Sequence, residues 1–212
     1  MTSSKQDVRL FEYWRSSTSY RVRIALKLAK INYTSMAIDL LDMDQKSPDH
    51  LARNPQGLVP VLDIDGQYFS QSLATIEYLN DTRDLHLLPH DPIAKAKHRA
   101  LAQAIAIDLH PVCNLSVLAY ATSSPDHTSK QWAKHFITPA LNTFNTLLRE
   151  FTQAPFCDGD TPSLADLCLI PQLYNADRWG IDYSHCARIQ TVRDACAAHP
   201  AFQAAHPDRN HA

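Results

Sequence analysis

The spacing of apolar residues near the start of the chain alternates between strand-like runs and a helix-like stripe. An apolar run from Val8 to Trp14, broken by two charged residues, predicts a strand. The stretch after it has the spacing of a buried helix face, at Val22, Ala25, Leu26 and Ala29. Tyr33 to Leu41 predicts a second strand, and Gln45 to Arg53 predicts a short, irregular helix.

The segment that follows completes a first domain. Pro60 interrupts a Leu-Val-Pro-Val-Leu run and should start or edge a strand, because proline gives a sheet no N–H. Asp65 and Gly66 mark a hairpin turn into another short strand. Gln71 and Ser72 then open a helix. Its apolar side chains are Leu73, Ile76 and Leu79. The order β-α-β-α-β-β-α predicts an α/β domain with a mixed sheet of four strands.

Helical periodicity continues to the end of the chain beyond a linker that contains Pro89. We therefore expect a first domain at residues 1–83, a linker at 84–91 and an all-helical domain at 92–212. The first helix of the second domain has an apolar stripe at Leu101, Ile105 and Leu109. Pro111 should kink this helix near its middle, because a proline ring clashes with the preceding turn.

Three more helices are predicted in the second domain. One has an apolar stripe at Trp132, Phe136, Ala140 and Phe144, with Pro139 inside it. Ser163 and Asp166 have nearly the spacing of a capping box and precede an apolar run. A last helix covers roughly residues 188–198. The fold class is therefore α/β plus all-α.

Composition and charge exclude several classes of function. With 45% hydrophobic and 20% charged residues among 212, the chain has the composition of a globular protein. Its net charge of −2 gives no broad attraction to nucleic acid or to anionic lipid. No apolar run is long enough to cross a bilayer, and Thr2 to Asp7 contains no signal-peptide core, so we expect a cytoplasmic location. The five cysteines have no CxxC spacing, and no histidine pair has HxxxH spacing together with a carboxylate partner, so neither a disulfide framework nor a metal site is expected.

A cluster of hydroxyl side chains separates the first strand from the first helix. Ser16, Ser17, Thr18 and Ser19 follow Arg15 directly. A helix N-terminus presents free N–H groups and partial positive charge, so this turn could bind a negative group. The alternative is that the hydroxyls only cap the helix, which is a common role of serine and threonine.

Six motifs, in order along nearly the whole chain, resemble those of the zeta class of cytosolic glutathione transferases, the maleylacetoacetate isomerases. The motifs occupy residues 13–26, 54–60, 71–79, 110–118, 159–169 and 171–178. The first reads Tyr-Trp-Arg-Ser-Ser-Thr-Ser-Tyr-Arg-Val-Arg-Ile-Ala-Leu. This resemblance implies a thioredoxin-like first domain that binds glutathione and a helical second domain that binds substrate.

The resemblance also implies roles for individual residues. The glutathione contacts in the first domain would be Ser16, Ser17, Gln45, Val59, Pro60, Gln71 and Ser72. Ser17 and the amide beside it would hold the thiolate. Donors at a helix N-terminus lower the pKa of a thiol. Val59, before a cis Pro60, would pair its backbone with the cysteinyl part of glutathione. Gln71 and Ser72 would bind the γ-glutamyl carboxylate at a helix N-terminus. The alternative for Val59 and Pro60 is a structural turn, and the alternative for Gln71 and Ser72 is a plain N-cap.

The reaction implied by the resemblance is a cis–trans isomerisation in which the glutathione thiolate adds to a conjugated double bond and then leaves. Arg15 and Arg178 would bind the negative charge of the substrate and of the adduct. The alternative for both is a surface or interdomain ion pair. His110 and Asn114, one helical turn apart, would face the same cleft, although His110 could instead cap the backbone near Pro111.

Two positions depart from the family pattern and keep other functions open. Thr18 replaces a cysteine found in many zeta enzymes, which should alter the rate without abolishing the chemistry, because glutathione supplies the sulfur. Maleylpyruvate isomerases also have threonine there, but they have arginine where this chain has Leu115. The first candidate function is isomerisation of maleylacetoacetate, which is a step of tyrosine and phenylalanine catabolism. The others are isomerisation of maleylpyruvate, glutathione conjugation of small electrophiles, and non-catalytic binding. The family also implies a homodimer.

Overall fold

The structure, a computed structural model, describes residues 7–123 and 128–210. Residues 2–6 of the polar N-terminal stretch lie outside the described part. The chain divides into two compact units, one formed by residues 1–85 and 200–212 and the other by residues 86–199. The division between residues 85 and 86 falls within the linker expected at residues 84–91.

The first unit contains a four-stranded mixed sheet. Its strands are β1 (Arg9–Glu12), β2 (Thr34–Ala37), β3 (Val61–Ile64) and β4 (Gln67–Phe69). The strand order is β2-β1-β3-β4. β1 pairs parallel with β2, while β3 pairs antiparallel with both β1 and β4. The predicted mixed sheet is therefore confirmed, with strands shorter than the apolar runs that indicated them.

The helices of the first unit occur between and after the strands in the predicted order. They are α1 (Ser17–Leu28), α2 (Pro48–Arg53) and α3 (Ser72–Arg83), with a 3-10 turn at Asp44–Lys46 before α2. Val22, Ala25 and Leu26 are fully buried on α1, as their spacing predicts. Arg21 and Arg23 on the same helix are also buried, at 1% and 0% exposure. The buried surface of α1 is therefore wider than its apolar stripe.

The end of the chain groups with the first unit rather than with the helical unit that precedes it. There, α9 (Pro200–Ala205) lies beside α1, and Nε of Arg23 donates to the carbonyl oxygen of Ala205 at 2.9 Å. The rings of Tyr20 and His206 pack edge to face with centroids 6.0 Å apart. This differs from the expected second domain at residues 92–212, because the buried guanidinium on α1 takes an acceptor from the C-terminal segment.

The second unit is helical. Its helices are α4 (Pro92–Gln103), α5 (Leu115–Ala121), α6 (Ser129–Leu147), α7 (Leu164–Trp179) and α8 (Ala187–Ala198). α4 continues into a π-helical turn at Ala104–Leu109 and a 3-10 turn at His110–Cys113. In the described residues no single helix is long and apolar enough to span a membrane; only the bent pair Pro92–Cys113 and Leu115–Ala121 meets the length and composition, with a 49° bend. The helix therefore changes its hydrogen bonding at Ala104, and the bend lies at the break after Cys113 rather than at Pro111.

The buried face of α6 differs from the predicted stripe. Ala133, Ile137, Leu141 and Phe144 are buried, whereas Trp132, Phe136 and Ala140 are only half-buried. The Trp132 indole N–H donates to the carbonyl of Val112 at 2.8 Å. The indole therefore lies at the edge of the core, where it finds an acceptor, and the small residue next to it faces inward.

The predicted capping box at the start of α7 is confirmed. Oδ2 of Asp166 accepts the Ser163 N–H at 2.7 Å and the Ser163 hydroxyl at 2.6 Å. Oδ1 accepts the N–H of Cys157 at 2.9 Å. Burial raises the pKa of Asp166, and the hydrogen bonds from Ser163 and Cys157 act in the opposite direction.

Candidate active site

The hydroxyl turn forms a connected set of hydrogen bonds at the start of α1. Ser16 is the N-cap residue, and its Oγ accepts the N–H of Ser19 at 3.2 Å. The same oxygen lies 2.7 Å from Oγ1 of Thr18. Thr18 donates to the carbonyl oxygen of Val59 at 3.0 Å. Ser16 therefore does cap the helix, and the turn is also joined to the segment that contains Pro60.

Exposure distinguishes the hydroxyl groups of this turn. Ser16 and Thr18 are half-buried. Ser17 is 9% exposed and Ser19 is fully buried. Arg15 is exposed, with its guanidinium 4.2 Å from the centroid of the Trp14 ring, and it forms no ion pair with another described residue. The groups that a ligand can most easily reach are therefore Ser16, Thr18 and Arg15.

The segment from Asn54 to Pro60 is fixed by buried donors. The Val59–Pro60 peptide is cis. The carbonyl oxygen of Leu58 lies 3.0 Å from Nε2 of His50 and accepts Nδ2 of Asn54 at 2.9 Å. His50 is fully buried, so its ring holds the segment from the protein side. In the described structure the Val59 N–H has no hydrogen-bond partner, which leaves this backbone group available to an extended ligand.

Gln45 lies against this segment because Gly57 permits a close approach. Gly57 has φ +61°, and a Cβ there would come within 2.9 Å of the Gln45 carbonyl oxygen. Lys46 donates from Nζ to the carbonyl of Gln56 at 3.2 Å. Among the described residues no partner exists for the buried Oε1 of Gln45. An amide oxygen in this state favours a ligand that brings an N–H group.

Gln71 and Ser72 lie at the N-terminus of α3. Gln71 is the N-cap residue of α3, with φ +66°, and its side chain makes no cap hydrogen bond. Its Nε2 donates to Oε1 of Gln56 at 2.9 Å. Ser72 is buried, and its Oγ accepts Nη1 of Arg21 at 3.4 Å. A helix N-terminus next to a buried guanidinium is an environment that favours a carboxylate.

The structure thus connects the predicted glutathione residues of the first unit through one segment. Residues 54–60 contact the hydroxyl turn through Val59, Gln71 through Gln56, and Gln45 through Gly57. The arrangement offers a free backbone N–H, a helix N-terminus for a carboxylate and hydroxyl donors for a sulfur. These groups suit the backbone and the sulfur of a cysteinyl residue and the carboxylate of a γ-glutamyl residue.

The second unit carries the remaining predicted residues, His110, Asn114 and Arg178. His110 begins its 3-10 turn and is half-buried. Asn114 is the N-cap residue of α5 but makes no side-chain cap hydrogen bond. Arg178 is exposed in the last turn of α7 and forms no ion pair with a described residue. The roles of all three stay predictions.

Several residues of the site did not appear in the sequence-based assignment. They are Arg21, Arg23, His50, Asn54 and Gln56. Asn54 and Gln56 lie inside a quoted motif, and Arg21 and Arg23 flank a buried valine. The motifs that contain these four residues were therefore the signal that could have identified them. The apolar spacing could not, because it assigns charged and amide side chains to the solvent side.

Within the described ranges no group of three or more His, Cys, Asp or Glu side chains could hold a metal ion. The thiols of Cys113 and Cys157 are not in a position to act as nucleophiles in place of glutathione. Burial raises the pKa of Cys113 to about 11, and Cys157 is fully buried with its pKa raised as well. These cysteines are therefore poor nucleophiles.

Comparison with known families and proteins identifies the class. Residues 6–81 match the family model "Glutathione S-transferase, N-terminal domain", and residues 130–204 match "Glutathione S-transferase, C-terminal domain". Over 204 residues the chain is 50% identical to the maleylacetoacetate isomerase of Rhizobium meliloti (strain 1021), covering 94% of this chain and 96% of that relative.

Two solved proteins are similar over nearly the whole chain. The maleylacetoacetate isomerase of Anaeromyxobacter dehalogenans 2CP-1 with bound GSH has a TM-score of 0.86 and 40% identity, with 96% of both chains covered. The same protein with bound dicarboxyethyl glutathione and citrate has a TM-score of 0.85, 40% identity and coverage of 96% and 95%. A maleylpyruvate isomerase, described as a zeta-class bacterial glutathione S-transferase, has a TM-score of 0.88 and 34% identity, covering 95% of this chain and 97% of that one.

The chain therefore belongs to the glutathione S-transferase family. Within the family it is a zeta-class member, as its six motifs indicated. The predicted fold class, a thioredoxin-like domain followed by a helical glutathione transferase domain, is confirmed by the same matches.

Proposed function

We propose that this chain is a glutathione-dependent cis–trans isomerase that converts maleylacetoacetate to fumarylacetoacetate, a step of tyrosine and phenylalanine breakdown. The observation that carries the proposal is the contact between the hydroxyl turn and the cis-proline segment, in which Thr18 donates to the Val59 carbonyl at 3.0 Å. This contact places hydroxyls that could donate to a sulfur next to a backbone that could pair with a cysteinyl residue. The 50% identical Rhizobium meliloti relative is named for the same reaction.

Bound glutathione supplies a thiolate that adds to the cis double bond, allows rotation about the resulting single bond, and leaves again. The protein must hold that sulfur in its ionised form, which requires hydrogen-bond donors. We assign this role first to Ser16, because it is half-buried and is linked through Thr18 to Val59. Ser17, which the motif suggested, is only 9% exposed and is the second candidate.

We assign the remaining glutathione contacts to the residues that the family motifs named. Val59, before the cis Pro60, would pair with the cysteinyl backbone through its N–H. Gln71 and Ser72 would bind the γ-glutamyl carboxylate at the start of α3. The unpartnered Oε1 of Gln45 would accept an N–H of the tripeptide. His110 and Asn114 would add contacts from the second unit.

Arg15 and Arg178 would bind the carboxylate and enolate charge of the substrate. In the part of the chain that the structure describes, neither arginine has an ion-pair partner within its own unit. The neighbouring acid, Asp177, accepts the Tyr183 hydroxyl at 2.8 Å and lies 3.6 Å from Arg193. The charge of Arg178 is therefore not neutralised by the residue beside it.

Replacing Arg178 with alanine is expected to raise KM for the maleyl-keto acid about tenfold or more and to change KM for glutathione little, since a charged hydrogen bond is worth about 1.5–3 kcal/mol. Initial rates at varied concentrations of each substrate measure this. Arg193→Ala is the matched control, because Arg193 is also a partly exposed arginine of the second unit. Equal increases in both KM values would remove the substrate role of Arg178.

The decisive assay of function uses the purified protein with each maleyl acid in turn and with glutathione far below the substrate concentration. We expect many turnovers of maleylacetoacetate per glutathione and no net glutathione loss. Consumption of one glutathione per product would indicate a conjugating transferase instead. Glutathione binding without turnover of any maleyl acid would indicate a non-catalytic binding protein.

Maleylpyruvate is the second candidate substrate. Thr18 supports it, because the resembling maleylpyruvate isomerases have threonine there, and a solved protein of that name has a TM-score of 0.88. Leu115 is evidence against maleylpyruvate, because maleylpyruvate isomerases have an arginine at this position. A homodimer and a cytoplasmic location are the finer expectations that the family adds, and size-exclusion chromatography with light scattering would test the first.

A further inference from the structure

Thr18 has two hydrogen-bond acceptors and only one proton. Its Oγ1 lies 3.0 Å from the Val59 carbonyl oxygen and 2.7 Å from Oγ of Ser16. The carbonyl can only accept, whereas each hydroxyl can donate once and accept twice. The directions of the two hydrogen bonds are therefore coupled.

Two proton arrangements satisfy the hydrogen bond between the two hydroxyls, but only the first also gives the Val59 carbonyl a donor. In the first, Thr18 donates to Val59, so the bond between the two hydroxyls requires Ser16 to donate to Thr18. In the second, Thr18 donates to Ser16, and the Ser16 proton becomes available to a third acceptor. In both, Ser16 Oγ keeps its bond from the Ser19 N–H at 3.2 Å. The change needs only rotation of two O–H bonds, and no proton leaves its oxygen.

We propose that Thr18 is a positioning residue that turns its proton from the Val59 carbonyl to Ser16 when glutathione binds, and so makes Ser16 a stronger donor to the sulfur. This deepens the proposed function and rests on its glutathione site. An N–H from the cysteinyl backbone can take the place of Thr18 on the Val59 carbonyl. A negative sulfur near Ser16 favours the arrangement in which Ser16 donates to it. Backbone pairing and stabilisation of the thiolate are thereby linked through one side chain.

The second arrangement should strengthen the Ser16 donor beyond a simple hydroxyl. Ser16 Oγ then accepts from both the Ser19 N–H and the Thr18 hydroxyl while donating to the sulfur. Hydrogen bonds in such a chain polarise one another. A valine at position 18 keeps the shape of threonine but cannot donate, so the polarisation is lost while the packing is kept.

The test is a pH titration of glutathione bound to the full-length protein, followed by the ultraviolet absorbance of the thiolate. Thr18→Val and Thr18→Ala are expected to raise the pKa of the bound thiol by about 0.5 to 1, since the loss weakens one donor to the charged form. Thr18→Ser should stay close to the wild type. The matched control is Thr82→Val, which removes a threonine hydroxyl that bonds the Tyr78 carbonyl at 2.6 Å on α3.

Calorimetric titration with S-methylglutathione, which has no ionisable thiol, separates positioning from a purely structural role. We expect Thr18→Val to weaken glutathione binding several-fold at neutral pH and to leave the affinity for S-methylglutathione unchanged. An equal loss for both ligands would overturn the inference, as would an unchanged thiol pKa in the valine and alanine variants. A wild-type protein that does not lower the thiol pKa would also overturn it. Absence of isomerisation with a normal titration would refute the proposed function but leave the role of Thr18 supported.

Discussion

Replacing Ser16 with alanine is expected to lower kcat/KM for isomerisation about 10²-fold, because the variant lacks one preorganised donor to the reacting sulfur. Ser17→Ala is expected to lose less than about tenfold, since Ser17 is only 9% exposed and its hydroxyl is less accessible to a ligand than that of Ser16. Steady-state rates of the two variants, measured at saturating glutathione and varied maleyl-keto acid, make the comparison.

The capping role of Ser16 must be separated from its chemical role. Loss of an N-cap hydroxyl costs about 1 kcal/mol of stability, whereas glycine at the same position costs only a few tenths. Ser16→Gly is therefore the matched variant: it should be nearly as stable as the wild type and as slow as Ser16→Ala. A larger loss of rate in Ser17→Ala than in Ser16→Ala would return the sulfur-binding role to Ser17.

The fold of the first unit could be predicted because its elements are set by local spacing. The apolar spacing on α1 and the Asp65-Gly66 turn agree with the observed helix and hairpin. Strand lengths could not be predicted, because pairing partners decide where a strand ends. The run from Val8 to Trp14 contains only the four paired residues Arg9–Glu12, after which the chain turns into the hydroxyl cluster.

The buried polar groups could not be predicted from periodicity. Arg23 is charged and lies between apolar neighbours, so a pattern of residue types assigns it to the solvent side. It is buried because its acceptors come from distant positions, including Trp14 and Ala205. Only the folded chain brings these groups together. For the same reason the apolar stripe predicted on α6 was displaced, since the Trp132 N–H needs the Val112 carbonyl.

The candidate site was predictable in its residues but not in its connections. The family motifs named Ser16, Thr18, Val59 and Gln71, and the structure joins the first three of these by hydrogen bonds. The direction of each bond depends on the geometry of donors and acceptors, which a motif does not contain. Gln56 shows the same limit, because its contact with Gln71 crosses from one motif to another.

The buried guanidinium of Arg23 supports the backbone that carries the site. Its three nitrogens donate to Oε2 of Glu12 at 2.5 Å, to the Trp14 carbonyl at 3.0 Å and to the Ala205 carbonyl at 2.9 Å. Glu12 is 3% exposed and also accepts the Ser35 hydroxyl at 2.9 Å. Trp14 directly precedes Arg15 and Ser16, so Arg23 fixes the entry to the hydroxyl turn.

Arg23→Met is expected to lower the free energy of unfolding by about 3–5 kcal/mol, because it leaves Glu12 as a buried carboxylate without its cation. Urea denaturation measures the change. Arg9→Met is the control: Arg9 also pairs with an acid across the sheet, at 3.0 Å from Nε to Asp63, but its side chain is 43% exposed, so its loss should be far smaller.

The dependence of this deficit on pH identifies its cause. Burial raises the pKa of Glu12 in the wild type, and Arg23 and Ser35 act against that rise. Without Arg23 the folded-state pKa must rise further, so the unfolded chain releases the proton at a lower pH than the folded one. The deficit of Arg23→Met should therefore be smallest near about pH 4.5 and grow toward about pH 8. The double variant Glu12→Leu/Arg23→Met removes both charges and should recover much of the lost stability. A deficit that does not vary with pH would mean that lost packing, rather than an unpaired carboxylate, destabilises the fold.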